Sequence, residues 1–105
     1  RISDLARVTM KSTTICNNQS NNADNAANQG ASAICVVGGK AGLKMDGKCV
    51  IRNCTATGSA VSAIVASDSN INNGGVTFEG NTSESGNPNY TDLTGHTRVS
   101  GTPLV

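Results

Sequence analysis

The sequence predicts an all-β protein, a short parallel β-helix (solenoid) of about three coils. Two short apolar themes alternate along the chain in five successive segments, as expected when each coil stacks the same elements on its neighbour. The anchor residues Ile15, Ile51 and Phe78 recur at intervals of 36 and 27 residues. The composition agrees, because a narrow tube of stacked strands needs few aromatic side chains, and the chain has one Tyr, one Phe and no Trp.

The first theme consists of two extended pieces joined by a tight turn, followed by Asn. Asp46-Gly47 and Gly74-Gly75 are strong turn signals, because glycine adopts positive φ without a Cβ clash. The three copies span residues 8–18, 43–53 and 71–81. We expect the residues that end the copies to stack and to hydrogen-bond along the axis, and these are Asn18, Asn53 and Asn81.

The second theme, at residues 32–39 and 62–69, adds a third extended piece, so three strands per coil are expected. Alternation along each strand assigns the inward side chains. A seven-strand β-sandwich, as in a pilin-like domain, is the alternative fold for 105 residues. The residues predicted to be buried are Val8, Met10, Ile15, Ile34, Val36, Leu43, Met45, Cys49, Ile51, Ile64, Ala66, Ile71, Val76 and Phe78.

The whole chain, residues 1–105, is expected to be a single solenoid domain. Residues 1–7 form a short amphipathic segment that could cap the first coil. The polar, low-complexity stretch at 17–31 is predicted to loop out of the solenoid, since insertions in such folds emerge between coils. Residues 84–105 form a C-terminal strand or tail.

Charge and composition exclude several classes of function. The net charge is +1 and the basic residues are interleaved with acidic ones, so we expect no nucleic-acid partner. No run of 18 apolar residues occurs, and membrane insertion is not expected. The acidic residues fall mostly in predicted turns, and the single His has no partner at metal-ligand spacing. We therefore expect neither an enzyme nor a metal or other cofactor.

Four cysteines in a small chain with a thin core suggest two disulfides and an oxidising, secreted setting. A bridge between Cys49 and Cys54 conflicts with an extended strand, because five strand residues span roughly 16 Å. Cys16 then pairs with Cys54 or with Cys49. Cys16 and Cys54 flank the Asn turns of successive coils, which favours Cys16 with Cys54 and Cys35 with Cys49.

Four sequons of the form Asn-X-Ser/Thr are present, and three of them occupy the same place in the repeat. If the chain is glycosylated, Asn81 and Asn89 are the preferred acceptors, and Asn53 is the least favoured because Cys54 follows it. The candidate glycosylation sites are Asn18, Asn53, Asn81 and Asn89.

The repeats resemble those of polymorphic outer-membrane (autotransporter) passenger domains, which carry alternating GGAI and FxxN motifs. Residues 78–81 match FxxN, residues 15–18 match it with Ile in place of Phe, and 51–53 is one residue short. Residues 32–34 and 62–64 resemble GGAI without its glycines. The resemblance implies a right-handed β-helix with an extracellular or cell-surface location and an adhesive or structural role.

The ends of such a tube carry unpaired strand edges, which proteins cap or pair. The β-prone residues 96–105 could add a strand to a neighbouring subunit. We therefore expect a secreted structural or adhesive protein, a self-assembling extracellular filament subunit stacked head to tail. The alternatives are a carbohydrate- or ice-binding module, or a fragment of a longer adhesin passenger. The residues expected at assembly contacts are Ile2, Leu5, Val99, Leu104 and Val105.

Overall fold

The computed structural model describes residues 1–21 and 30–105. Within these ranges the ordered elements are β-strands, with no α-helix. The strands are β1 (Ile2–Ser3), β2 (Arg7–Met10), β3 (Thr14–Cys16), β4 (Gln19–Asn21), β5 (Gly30–Val37), β6 (Gly42–Met45), β7 (Val50–Arg52), β8 (Thr55–Thr57), β9 (Ala60–Ser67), β10 (Asn70–Asn73), β11 (Thr77–Glu79), β12 (Thr82–Ser83), β13 (Tyr90–Asp92) and β14 (Arg98–Gly101).

The strands form four sheets that run along the axis of a parallel β-solenoid. Sheet 1 has the order β1-β5-β9-β13 and sheet 2 the order β2-β6-β10-β14. Sheet 3 is β3-β7-β11 and sheet 4 is β4-β8-β12. Each complete coil contributes one strand to each sheet, so the described chain makes three coils and the first half of a fourth. The predicted solenoid is confirmed.

The pairing register excludes the β-sandwich. Antiparallel pairing of the Val50 and Val76 strands would have indicated a sandwich, but Val50 lies opposite Thr77 in a parallel pair. The predicted anchors also stack as expected, because Ile15 and Phe78 lie on either side of Ile51. Apolar side chains at a fixed place in each coil thus set the register of sheet 3.

Each coil has four strands rather than the expected three. The additional strands, β4, β8 and β12, form sheet 4 and contain only two or three residues each. Their sequences are small and polar, such as Thr55-Ala56-Thr57, and a strand this short has too few residues to show an alternating apolar pattern. Backbone pairing with the neighbouring coil holds them, as in the hydrogen bond from the Thr55 N–H to the Asn18 carbonyl at 2.8 Å.

The core is a column of small and medium side chains inside the tube. Most residues predicted to be inward are buried, and Ile51, Ile64, Val36, Cys49 and Ala66 are fully so. The prediction for Val8 is wrong. Its side chain is 40% exposed, because β2 is the outer strand of sheet 2 and no coil covers it. Ile15, Val76 and Phe78 pack against the core but are only partly buried.

The expected stack of Asn18, Asn53 and Asn81 is out of register. Ile15 aligns with Ile51 and Phe78, so the third residue after each anchor is Asn18, Cys54 and Asn81. Asn53 instead occupies the preceding position, where the backbone turns with positive φ, at 53°. The same position holds Asn17 at φ 60° and Gly80 at φ 63°. Asn and Gly tolerate this left-handed conformation better than other residues do.

The terminal segments are part of the solenoid. β1 pairs with β5, so residues 1–7 contribute strands to the first coil. Residues 84–105 contain β13 and β14, which begin the fourth coil. In the stretch 17–31, residues 19–21 and 30–31 belong to β4 and β5. The remainder of the predicted loop, 22–29, lies outside the described residues.

Candidate functional site

The exposed apolar side chains lie at the two ends of the tube. Among the described residues, the large hydrophobic side chains that are exposed belong to the first coil or to the last one. Leu5 and Val8, 72% and 40% exposed, are in the first coil. Leu93, Val99 and Val105 are in the last, and Val99 is 39% exposed. The side of the tube is therefore polar, and the apolar surface is divided between its ends.

Open strand edges accompany this apolar surface. In the described part of the chain, β2 pairs only with β6 and β14 only with β10, so each leaves one edge without a strand partner. Val8, Leu43, Ile71 and Val99 form one ladder across sheet 2. The inner two side chains are buried, and the outer two are half covered because a further strand would be needed to cover them.

The predicted assembly residues divide into two groups. Leu5, Val99 and Val105 are exposed at the ends, as an assembly contact requires. Ile2 is 7% exposed and belongs to the core, and Leu104 packs against the core from the last coil. The β-prone C-terminal residues pair within their own chain through β14.

A shallow groove follows the outer face of sheet 2 and has a volume of about 530 Å³. Arg7, Lys44 and Arg98 contribute its basic side chains. Among the residues that the structure describes, no Asp or Glu lines the groove. Gly42 leaves space on its floor, where an added Cβ would lie 3.6 Å from Cγ of Arg7. This basic cluster was not predictable from the sequence, because its members are far apart along the chain and meet only through the strand register.

The guanidinium of Arg98 is held in a fixed position beside the groove. It lies 3.3 Å from the Asp68 carboxylate. Its Nε donates a hydrogen bond to Oδ1 of Asn70 at 2.7 Å, and Nη2 donates to the Gly39 carbonyl at 3.2 Å. Both ionic side chains are more than half exposed, so the pair contributes little stability and serves mainly to orient the arginine.

The structure does not contain the predicted disulfides, and all four cysteines are free. Cys16 and Cys35 lie on outward positions of their strands, beside the inward residues Ile15, Ile34 and Val36. Cys49 and Cys54 are fully buried inside the tube. Each predicted bridge would join an outward side chain to an inward one, which the strand geometry does not permit.

The four sequon asparagines have different surroundings. Asn18 and Asn53 are exposed. Asn81 is only 9% exposed, and its amide is engaged in three hydrogen bonds. Asn89 is half-buried, and its Nδ2 donates to the Val105 carbonyl at 3.2 Å. A glycan on the folded chain would therefore fit at Asn18 more readily than at Asn81, the reverse of the order expected from sequence.

Asp46 connects the first two coils. Its carboxylate accepts the Ser12 backbone N–H at 3.1 Å and the Lys48 N–H at 3.0 Å. The Ser12 N–H and then the Lys48 N–H hold the pKa of the Asp46 carboxyl below its usual value, because both bonds favour the ionised form.

This contact predicts a loss of stability in acid. Folding lowers the pKa of Asp46. The contribution of Asp46 to the free energy of unfolding is therefore present above the unfolded-state pKa of about 4, and it is lost as the pH falls through the folded-state pKa. Urea unfolding between about pH 6 and about pH 2.5 should show a smaller fall in midpoint for Asp46→Asn than for the wild type. Parallel curves for the two proteins would contradict this role of Asp46.

No protein-family model, curated protein or solved structure matches this chain. The described residues include no helix long and apolar enough to cross a membrane. Within residues 1–21 and 30–105, no three His, Cys, Asp or Glu side chains are grouped so that they could hold a metal ion.

Proposed function

We propose that this chain is a secreted structural or adhesive protein, a subunit that stacks head to tail into an extracellular filament. The observation that carries the proposal is the position of the exposed apolar side chains at the two ends of the tube, together with open parallel strand edges. A parallel solenoid can extend by adding another copy, because the last strand of a sheet in one copy can pair in parallel with the first strand of the same sheet in the next copy. The extracellular location rests on the resemblance of the repeats to passenger domains.

The internal register specifies how two copies would meet. β2 and β14 align with the same positions of β6 and β10, so β14 of one copy would continue onto β2 of the next. Val99 would then cover Val8 of the neighbour, completing the ladder that is half exposed in the isolated chain. Sheets 1 and 2 contain four strands each, so the filament would have an axial repeat of roughly 19 Å, and sheets 3 and 4, with three strands each, would lack one strand at every junction.

The same register places Arg98 beside Arg7 of the next copy. Two like charges directly opposite each other on neighbouring strands are unfavourable by up to about 1 kcal/mol. Higher salt should therefore promote assembly. Arg7→Glu should promote it more strongly, lowering the protein concentration needed for filaments by about fivefold, because it exchanges a repulsion for an attraction.

Electron microscopy and sedimentation across a concentration series test the proposal. Val99→Lys should raise the concentration needed by about tenfold or more, because it would bury a charge between copies. Lys44→Glu is the matched control for Arg7→Glu: it makes the same change of charge on the same face, but on the inner strand β6. A wild-type chain that stays folded and monomeric at high concentration would refute filament assembly and favour a fragment whose neighbouring coils cover both ends.

A further inference from the structure

The groove on sheet 2 has the chemistry of a binding surface for a negatively charged chain. Four strands cross it, and the outward residues form two ladders along the axis. One ladder begins with Arg7 and ends with Arg98, three strand spacings away, which is roughly 14 Å. Lys44 lies in the other ladder, on the strand next to that of Arg7. The cations are thus distributed along the tube axis.

The balance of charge in this groove differs from that of the whole chain. The chain has a net charge of +1, whereas the described residues that line the groove include three cations and no carboxylate. Asp68 forms an exposed ion pair with Arg98 from the side. Within the described residues, Arg7 and Lys44 form no ion pair, and both are exposed. Two cations are therefore available to an anionic ligand, and a third is fixed at the far end of the groove.

The remaining polar groups favour sugars over nucleic acid. Thr9, Asn72 and Ser100 extend the second ladder and offer hydroxyl and amide groups that can hydrogen-bond sugar hydroxyls. In residues 1–21 and 30–105 no aromatic side chain lines the groove, so bases would have no aromatic surface on which to stack.

From these observations we infer that sheet 2 binds a linear acidic polysaccharide, whose carboxylate or sulfate groups contact Arg7 and Lys44 while the chain runs parallel to the tube axis. This inference goes beyond filament assembly and does not depend on it. The groove lies on the side of the tube, so it stays open in an isolated copy. In a head-to-tail stack it would continue from one copy to the next.

The test compares two double variants that remove the same charge. Arg7→Gln with Lys44→Gln removes both free cations of the groove. Lys11→Gln with Arg52→Gln removes two exposed cations that lie outside it. Binding of polygalacturonate, dextran sulfate and neutral dextran is measured by calorimetry at physiological salt, at protein concentrations where sedimentation shows monomers. The two anionic glycans distinguish a carboxylate from a sulfate ligand.

We expect the wild type to bind at least one of the anionic glycans and not neutral dextran. The groove variant should lose about tenfold or more in affinity, since each charge-assisted hydrogen bond is among the stronger polar contacts, and the control variant should bind within about twofold of wild type. Equal losses in both variants would show that net charge alone is responsible and would overturn the inference. It would also be overturned if neither anionic glycan bound, or if single-stranded DNA bound more tightly than they do.

Discussion

Replacing Ile51 by alanine is expected to lower the free energy of unfolding by about 3 to 4 kcal/mol. Ile51 is fully buried in the second coil, with Ile15 on one side and Phe78 on the other. The loss combines the transfer free energy of the removed carbon atoms with the cost of the cavity. Collapse around the cavity is restricted, because parallel pairing on both sides fixes the position of β7.

Ile15→Ala is the matched control. It makes the same chemical change in the same ladder, but Ile15 lies on the outer strand β3 and is only partly buried. We expect it to cost about half as much, since less apolar surface is removed from water and the end of the tube can relax. Urea unfolding of the monomer, followed by circular dichroism, measures both values. Equal losses would show that the first coil confines its core as tightly as the second.

The sequence predicted this ladder because its residues are apolar and recur once per coil. The same reasoning gave a wrong prediction for the position three residues after each of these anchors. The motif pattern predicts a shortened copy at residues 51–53, but Ile51 to Cys54 has the full length and Cys54 occupies the position of Asn81. A cysteine can occupy the inward position that Asn fills elsewhere, because it is small and weakly polar. The pattern of residues therefore did not reveal that Cys54 aligns with Asn81. As a result, the predicted Asn stack and the predicted disulfides were both wrong.

The candidate surfaces were predictable only in part. The open strand edges of the outer described coils follow from the solenoid itself, since each parallel strand can pair with a neighbour on both sides. The basic groove does not, because Arg7, Lys44 and Arg98 are neighbours only once the register of sheet 2 is known. Outward positions tolerate almost any polar residue, so they carry no periodic signal from which their register could be read.

Asn81→Ala is expected to cost about 2 kcal/mol, although it removes a polar side chain, because it leaves a buried backbone donor unsatisfied. Oδ1 of Asn81 accepts the Cys54 N–H at 3.0 Å, and Nδ2 donates to the Ile51 carbonyl at 3.0 Å and to Oδ1 of Asn89 at 3.1 Å. Alanine would leave the backbone N–H of the fully buried Cys54 without a partner, whereas the Ile51 carbonyl remains paired within the ladder of β7 and β11. Each unsatisfied buried group costs about 1 to 3 kcal/mol.

Asn18→Ala provides the comparison, because Asn18 occupies the equivalent position of the first coil but is exposed. Water can replace any bond that its side chain makes, so we expect a change within about 0.5 kcal/mol. Amide hydrogen exchange gives a second measurement, since Asn81→Ala should specifically reduce the protection of the Cys54 N–H. If the two variants were equally stable, the buried amide would not be what holds this turn. The turns between sheets 3 and 4 would then depend on backbone pairing and the left-handed residues at 17, 53 and 80 alone.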